Sequence, residues 1–343
     1  METPTPTLES PDSTSPAGGG PSSSTPAVSV VMPAYNVAEY IGAALDSIFN
    51  QTYTDYEVIV VNDGSPDTDE LERVLEPYRD RIVYLKQENL GLSVARNKAI
   101  RAARGQYIAL LDSDDFWERD YLSVQVREIE RDPTIDVLYA DAFIFGDSPV
   151  AGKTFMQVCP SEGEVTLERL IREECHVMVS VLARREAIMR AGLFDESLRS
   201  AEDFDLWLRI VEQGSRIEYH RKPLTHYRRR ADSLSADESG LFTSIIKVFD
   251  KVESAMNLTP AEHAALKERR SLYRAKLQLC EGKKAFIEGD REAAVNSLTE
   301  ANRFLRSLKI KLALLFLRAA PGLLLSAYKL RARLIPGVGS KPL

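Results

Sequence analysis

Short apolar runs alternate with helical patterns between Ala27 and Arg131. Four runs rich in β-branched residues, VSVVMPAY, YEVIVVNDG, IVYLKQE and YIALLDSD, are each followed by a segment with helical periodicity. These helical segments are Ala38–Asn50, Thr68–Tyr78, Leu92–Arg104 and Tyr121–Arg131. Near-continuous apolar strands that alternate with helices of about 10–13 residues are typical of parallel sheets. The pattern therefore predicts an α/β fold, with a Rossmann-like, mostly parallel sheet and helices on both faces.

The pattern becomes less regular after Pro133 and purely helical after Ser239. VLYADAFIF and VMVSVLARR predict strands, and the segment between Ser148 and Glu164 is predicted to be a loop. Helical patterns cover Val165–Glu174, Arg185–Ala191 and Glu202–Gln213. Near Gly282 the spacing resembles one tetratricopeptide-like helix pair, but a plain helical hairpin packed on the main domain is the preferred interpretation, because a single pair cannot form a solenoid.

Four segments are predicted along the chain. Residues 1–26 are rich in Pro, Ser, Thr and Gly without apolar periodicity, which predicts a disordered leader. The start METPTPTLES lacks the basic residues and apolar core of a signal peptide. Residues 27–238 form the predicted α/β domain, 239–305 a helical hairpin region, and 306–343 a basic amphipathic tail.

Charge is distributed unevenly along the chain. Residues 301–343 contain nine Lys and Arg residues and no acid, so this tail carries +9. The whole chain carries −7, which leaves −16 for residues 1–300. An acidic body with a basic, apolar end argues against nucleic acid as a partner and favours an anionic surface met by the tail.

The tail has the features of an interfacial helix. Its uncharged stretch between Arg318 and Lys329 is too short to span a bilayer and is interrupted by Pro321. Basic residues beside Leu and Phe clusters predict a helix that lies on a membrane. The alternative is a helix whose apolar face packs on the preceding helices. Three cysteines without regular spacing predict reduced thiols in a cytosolic protein.

An acidic cluster follows the fourth predicted strand, in YIALLDSDDFW. Asp112, Asp114 and Asp115 lie within four residues and repel one another unless a cation joins them. Carboxylate oxygens suit Mg²⁺ or Mn²⁺. The alternative is a solvated acidic turn that caps the following helix. Because ligands bind at the carboxyl ends of parallel strands, Tyr35 and Asp63 are expected beside this cluster.

Further motifs occur together with the acidic cluster. They are VVMPAYN at 30–36, VIVVNDGSPD at 58–67, NLGLSVARN at 89–97, SAEDFDLWLRI at 200–210 and HYRRRADSLS at 226–235. In this order and spacing they closely resemble family 2 glycosyltransferases of the GT-A fold, from about Val28 to Ser235. The resemblance implies a nucleotide-sugar donor, a divalent metal and an inverting transfer, and makes residues 27–238 the catalytic domain.

The resemblance also implies roles on the donor side of the site. Asp114 would bind the metal, with Asp112 facing the ribose or a metal-bound water and Asp115 supporting the loop. Residues expected around the base and ribose are Pro33, Ala34, Tyr35, Asp63, Asn89 and Arg96, of which Asp63 would accept from a ring N–H. The alternatives are a core tyrosine for Tyr35 and a surface helix residue for Arg96.

On the acceptor side, the resemblance makes Asp203 the base that takes the acceptor proton, with Glu202 as helper. The reverse assignment of the two acids stays open. Trp207 is expected to line a sugar pocket and Asp205 to be structural. Arg228, with Ser233 or Ser235, would contact the diphosphate as part of a lid, and the alternative is a surface basic loop.

The predicted function is therefore that of an inverting glycosyltransferase that depends on Mn²⁺ or Mg²⁺. A UDP-sugar is the expected donor, and a polysaccharide, a lipid-linked sugar or another glycoconjugate is the expected acceptor. The expected location is the cytoplasmic, inner face of the cell membrane. One rival is a catalytically weak nucleotide-sugar-binding scaffold that acts through its helical region. A sugar-phosphate nucleotidyltransferase would usually carry a Gly-rich, basic loop after the first strand, which PAYNVAEYIGA does not supply.

Overall fold

An eight-stranded mixed sheet forms the centre of the structure, a computed structural model that describes residues 25–230, 233 and 237–319. The strands are β1 Val28–Ala34, β2 Tyr56–Asp63, β3 Val83–Gln87, β4 Tyr107–Leu110, β5 Phe116–Trp117, β6 Ile135–Gly146, β7 Val181–Arg184 and β8 Arg216–Arg229. Their order across the sheet is β3-β2-β1-β4-β7-β6-β8-β5.

The first half of the sheet is parallel, since β1 pairs with β2 and β4, and β2 pairs with β3. Its strands are connected by three helices, α1 Ala38–Phe49, α2 Thr68–Leu75 and α3 Leu92–Ala102, and a 3₁₀ helix, Glu76–Arg81, follows α2. After β4 come β5 and then α4 Tyr121–Arg131. Successive side chains of a strand point to opposite faces. Val31 and Ile59 accordingly belong to one buried cluster, whereas Val30 and Val60 belong to another. The prediction of apolar strands covered on both faces is confirmed.

The second half of the sheet is mixed and differs from the sequence prediction. β7 runs antiparallel to β4 and β6, β8 is parallel to β6, and β5 is antiparallel to β8. β8 was not predicted from the sequence, because its residues RIEYHRKPLTHYRR are mostly polar and only Ile217, Leu224 and Thr225 are buried. The alternative of a surface basic loop is therefore wrong for residues 226–229, which form the end of this strand. The predicted loop before Glu164 contains a short helix, α5 Phe155–Val158.

The remaining helices cover one side of the sheet and then extend beyond it. They are α6 Leu167–Arg172, α7 Arg185–Arg190, α8 Glu202–Glu212, α9 Glu238–Ala255, α10 Pro260–Glu288, α11 Arg291–Leu305 and α12 Leu308–Ala319. α9 and α10 share a buried cluster with the sheet, in which Phe249 and Tyr273 lie with Trp207. The predicted domain bounds stay a prediction, and residues 1–24 of the leader and 320–343 of the tail lie outside the described residues.

α10 and α11 form a close helical hairpin. Thr259 and Glu262 form a capping box at the start of α10, and Gly289 ends the helix at a φ of 87°. Within α10, a Cβ on Gly282 would lie 2.8 Å from Cγ of Leu298, so a side chain there would push the two helices apart. Among helices in the described ranges, none combines the length and apolar character needed to cross a bilayer.

Candidate active site

A cleft of about 1240 Å³ opens at the carboxyl ends of β1, β2 and β4. Every predicted site residue in the described part of the chain lines it. These residues are Pro33, Ala34, Tyr35, Asp63, Asn89, Arg96, Asp112, Asp114, Glu202, Asp203, Arg228 and Ser233. Ser235 lies outside the described residues. The structure thus brings together side chains that are up to 200 positions apart in the sequence.

Asp63 fixes the loop that forms one wall of the cleft. Its Oδ1 accepts hydrogen bonds from the backbone N–H of Leu90 at 2.9 Å and from Nε2 of Gln87 at 2.7 Å, and Oδ2 accepts from the backbone N–H of Gly91 at 2.9 Å. A carboxylate has about four acceptor positions, so about one remains on Oδ2 for a ligand. A Cβ on Gly64 would lie 2.4 Å from the backbone nitrogen of Asn89, which explains why a glycine follows Asp63.

The turn after β1 presents Tyr35 to the cleft. Tyr35 is 47% exposed, so the alternative of a core tyrosine is wrong. The next residue, Asn36, has a φ of 54°, and its backbone N–H donates to Oγ of Ser65 at 2.6 Å. Oγ of Ser113 donates to the carbonyl of Pro33 at 2.7 Å. These bonds hold the turns after β1, β2 and β4 against one another.

The three acids of the turn after β4 have different surroundings. Oδ1 of Asp112 accepts from Nη2 of Arg96 at 2.6 Å. Asp115 is buried, and its Oδ1 accepts from the backbone N–H of Arg228 at 2.7 Å. Asp114 faces the cleft, with its Oδ2 3.6 Å from Nη1 of Arg230. The alternative of a helix cap is wrong, because the next residues form β5 and α4 begins only at Tyr121.

The neighbouring arginines do not offset the burial of Asp114 and Asp115. Burial, reinforced by Asp112, raises the pKa of Asp114 to about 6, although Arg230 and Arg228 oppose this rise. Burial also raises the pKa of Asp115 well above its usual value, and Asp114 and Asp112 add to that rise. A cation beside Asp114 would remove the penalty on its charged form.

The donor set of the turn fits a hard divalent cation. The described residues contain no group of three or more side chains ready to hold a metal ion. Asp114 and Asp112 nevertheless both present carboxylate oxygens at the cleft. Mg²⁺ is usually held by only one or two carboxylates, with substrate phosphates and water as its other ligands. The two acids therefore fit a metal that is bound together with a phosphorylated ligand.

Arg96 connects the acidic turn with the start of α8. It is 1% exposed, so the alternative of a surface helix residue is wrong. Its Nη1 donates to Oε1 of Glu202 at 2.6 Å, and its Nη2 donates to Oδ1 of Asp112 at 2.6 Å. A buried guanidinium between two carboxylates fixes the position of both.

Arg96→Met is expected to destabilise the fold by about 3–5 kcal/mol near neutral pH, because Asp112 and Glu202 lose the charge that compensates them. The loss should be larger at pH 8 than at pH 5. Burial already raises the pKa of Glu202 to about 7, and a raised pKa means that ionisation at higher pH destabilises the folded state. Removing the guanidinium raises this pKa further. Urea unfolding at the two pH values measures the difference.

Arg101→Met, on the exposed face of the same helix, is the matched control. Arg101 forms only a surface pair with Glu196 at 3.4 Å, so its loss should cost about 0–1 kcal/mol. Equal losses for the two variants, or a loss at Arg96 that does not change with pH, would contradict the proposed charge balance.

The start of α8 places two acids at the cleft. Ala201, directly before the helix, has a left-handed backbone with a φ of 56°, and such strain often accompanies functional sites. Glu202 is buried against Arg96. Asp203 is half-buried, its Oδ1 accepts from the backbone N–H of Phe204 at 2.7 Å, and burial raises its pKa. Asp203 thus combines access to the cleft with a raised pKa.

The other predicted residues of α8 occupy the expected sides of the helix. Trp207 is buried and lines the cleft. Asp205 binds Nη2 of Arg209 at 2.6 Å and Nζ of Lys251 at 2.8 Å, which ties α8 to α9.

Two arginines at the end of β8 lie beside Asp114. Nε of Arg228 donates to the carbonyl of Asp114 at 2.8 Å, and its guanidinium lies 4.7 Å from the ring centroid of Tyr40. Arg230 also lines the cleft, with its guanidinium 4.8 Å from the same ring. Arg228 was predicted from the sequence, whereas Arg230 was not. Residues two apart in an extended chain share a face, and this would have revealed Arg230 if β8 had been recognised.

Comparisons with known proteins identify the family. The model of the family described as Glycosyl transferase family 2 matches residues 29–182. An uncharacterized glycosyltransferase of Methanocaldococcus jannaschii is 32% identical over 208 residues, which cover 59% of this chain and 71% of that protein. The chain belongs to glycosyl transferase family 2. The resemblance seen in the motifs is confirmed, as is the prediction of a glycosyltransferase at the level of the family.

Several other curated relatives of this family 2 member are longer than the chain. The chain spans 31% of the length of some of them and 27% of another.

Two solved structures share the fold of this family 2 chain. TarS of Staphylococcus aureus, in complex with UDP-GlcNAc, has a TM-score of 0.58 at 20% identity, covering 85% of this chain and 87% of that one. A mannosyltransferase from Pyrobaculum calidifontis, in complex with GDP-Man and Mn²⁺, has a TM-score of 0.58 at 22% identity, covering 91% and 87%. The predicted GT-A fold class is confirmed.

Proposed function

We propose that this family 2 protein is an inverting, divalent-metal-dependent glycosyltransferase that moves a sugar from a nucleoside diphosphate to a hydroxyl of an acceptor. One observation carries the proposal. A single cleft holds the acids of the turn after β4 and the acids of α8, and Arg96 joins them through Asp112 and Glu202. Such a transfer needs charge neutralisation at the leaving group and a base at the attacking hydroxyl.

On the leaving-group side, Asp114 and Asp112 would hold Mn²⁺ or Mg²⁺. When bound, the cation supplies Lewis acidity and neutralises charge on the diphosphate. The guanidinium groups of Arg228 and Arg230 lie beside Asp114 and would pair with phosphate oxygens. Ser233 supports this segment, since its Oγ donates to the carbonyl of Arg230 at 3.0 Å. The two related structures, named with UDP-GlcNAc and with GDP-Man and Mn²⁺, are consistent with this assignment.

On the nucleoside side, the exposed ring of Tyr35, with Pro33 and Ala34, would form a wall against the base. The free acceptor position of Asp63 favours a base that offers a ring N–H. Uracil and guanine have such a donor on their pairing edge, whereas adenine and cytosine present an acceptor nitrogen there. Asn89, whose backbone packs directly against Gly64, would contact the base or ribose. A UDP-sugar is the proposed donor.

On the acceptor side, Asp203 would take the proton of the attacking hydroxyl. A raised pKa makes its carboxylate a better base, because a base is most effective when its pKa lies near the working pH. The acceptor oxygen forms a bond to the anomeric carbon as the bond to the diphosphate breaks, so the configuration inverts. The neighbouring Glu202, held by Arg96, would position the acceptor.

Helices of the C-terminal region contribute to the same cleft. Leu241 and Ile245 of α9 and Tyr273 of α10 line it together with Phe155. We therefore propose a polysaccharide, lipid-linked sugar or other glycoconjugate as acceptor.

The proposed division of the chain keeps residues 27–238 as the catalytic domain, 239–305 as the hairpin region and 306–343 as the tail. The basic tail and the free cysteines are consistent with a cytoplasmic location at the inner membrane face.

A thermal-shift panel of nucleotide sugars tests the donor proposal. With Mn²⁺ present, a donor at about 100 times its Kd should stabilise the protein by about 2.7 kcal/mol. UDP-sugars should shift the melting temperature most, and ADP- and CMP-sugars should have little effect because they lack the ring N–H for Asp63. No shift with any nucleotide sugar would contradict the proposal. Stabilisation without turnover would favour the scaffold alternative.

A further inference from the structure

α12 carries apolar side chains on two opposite faces. Ile310, Leu314 and Leu317 are buried against α10 and α11. Leu308, Leu312, Leu315 and Phe316 are instead 46–70% exposed. With about 3.6 residues per turn, the two groups lie about 180° apart around the helix. α12 thus packs on the preceding helices with one face and leaves the opposite apolar face exposed.

Cations border the exposed apolar ridge on both sides. At about 100° per residue, Lys309 lies on one flank, and Lys311 and Arg318 lie on the other. All three side chains are exposed. From residue 301 to residue 319 the sequence contains no Asp or Glu. The surface therefore combines an apolar centre with a cationic border.

We propose that this face of α12 docks on the surface of an anionic lipid bilayer. Leucine and phenylalanine side chains would enter the boundary between headgroups and acyl chains, while Lys and Arg remain at the level of the headgroups. Anionic lipids attract each basic residue near the surface. Residues 320–343 contain further Lys and Arg residues and no acid, and their positive charge would add to this attraction.

A second copy of the chain is a less suitable occupant. In a twofold-symmetric interface the same patch lies on both subunits, so the basic residues of one α12 would face those of the other. Like charges in such an arrangement repel. An acidic lipid surface instead complements both the apolar ridge and its border.

Packed helices connect the docking face of α12 with the cleft. α12 packs on α11, and α11 packs on the second half of α10 around Gly282 and Leu298. Tyr273, in the first half of α10, lines the cleft. One continuous helix thus links the membrane-facing surface with the acceptor side of the site. Lipid binding does not require a donor, so it is measured independently of the proposed catalysis.

Vesicle co-sedimentation of the full chain tests the proposal. Vesicles of phosphatidylcholine alone are compared with vesicles that also contain phosphatidylglycerol. The wild-type protein should bind the anionic vesicles at least tenfold more tightly. The Leu312→Glu/Leu315→Glu and Lys309→Glu/Lys311→Glu variants should each lose about tenfold or more of that binding. Met189→Glu, an exposed apolar position on α7, is the matched control and should bind like the wild type.

Equal binding to both vesicle types, or unchanged binding by both double variants, would contradict the docking of α12 on an anionic bilayer. A concentration-dependent dimer in light scattering, abolished by Leu312→Glu/Leu315→Glu while no vesicles are bound, would assign the face to self-association instead. Circular dichroism checks that the variants fold. The lysine variant changes only exposed charged side chains, so it keeps the test valid if the leucine variant does not fold.

Discussion

Asp203→Asn should lower the rate of sugar transfer by about 10²–10⁴-fold while donor binding stays close to that of the wild type. The substitution keeps the size of the side chain but removes the carboxylate that would take the acceptor proton. The proposed donor contacts lie on the other side of Arg96, which pairs with Glu202 on one side and with Asp112 on the other. Steady-state kinetics with a UDP-sugar and Mn²⁺, together with donor titration, separates the two effects.

Glu212→Gln, at the exposed far end of the same helix, is the control and should leave turnover unchanged. Glu202→Gln decides between the two assignments of the acid pair. If Glu202→Gln loses more transfer than Asp203→Asn does, the reverse assignment is correct. If Asp203→Asn retains wild-type turnover, the proposed acceptor side is wrong.

The pH profile provides a second readout of the same pair. Because burial raises the pKa of Asp203, wild-type activity should fall with decreasing pH at values above the usual range of an aspartate. The pH dependence of kcat/KM measures this limb, and an acid limb at the ordinary pKa of an aspartate would contradict the prediction.

Asp114→Asn should abolish Mn²⁺-dependent donor binding and lower turnover by about 10²–10³-fold or more, the usual effect of losing one charge-stabilising group. Without metal, the same variant should be more stable than the wild type at pH 8, by about 1–3 kcal/mol. The pKa of Asp114 is raised to about 6, so its ionised form destabilises the fold above that pH, and Asn avoids this cost. Urea unfolding in EDTA measures the difference in stability, and donor titration and kinetics with Mn²⁺ measure the losses of binding and turnover.

Asp120→Asn is the control for this second prediction. The side chain of Asp120 is 42% exposed, lies outside the cleft and pairs with Lys222. Its loss should change neither the Mn²⁺ dependence nor the turnover. Full activity of Asp114→Asn, or full activity of the wild type in EDTA, would contradict the role of the acidic turn.

The sequence predicted the parallel half of the fold because burial on both sides leaves a strong apolar signal. The predicted helix Tyr121–Arg131 agrees with the structure at both ends, and Ala38–Asn50 differs by one residue. β8 was missed because it buries few side chains. The antiparallel direction of β7 was not predicted either, because it depends on pairing across the sheet.

The candidate site shows the same division between local and long-range information. Motifs at strand ends located Tyr35, Asp63 and Asp114 at one edge of the sheet, as the parallel topology requires. The partners of Arg96 lie 16 and 106 positions away, and no local pattern predicts that a residue of an amphipathic helix bridges them. Arg230 was missed because its position follows from β8.

In the proposed mechanism, a metal-supported leaving group and the Asp203 base act on opposite sides of one sugar. Proton NMR of the turnover of an α-configured UDP-sugar, recorded before the products equilibrate, shows which configuration forms first. We expect the first sugar product, whether transferred or released to water, to have the β configuration. A first product with the α configuration would contradict it.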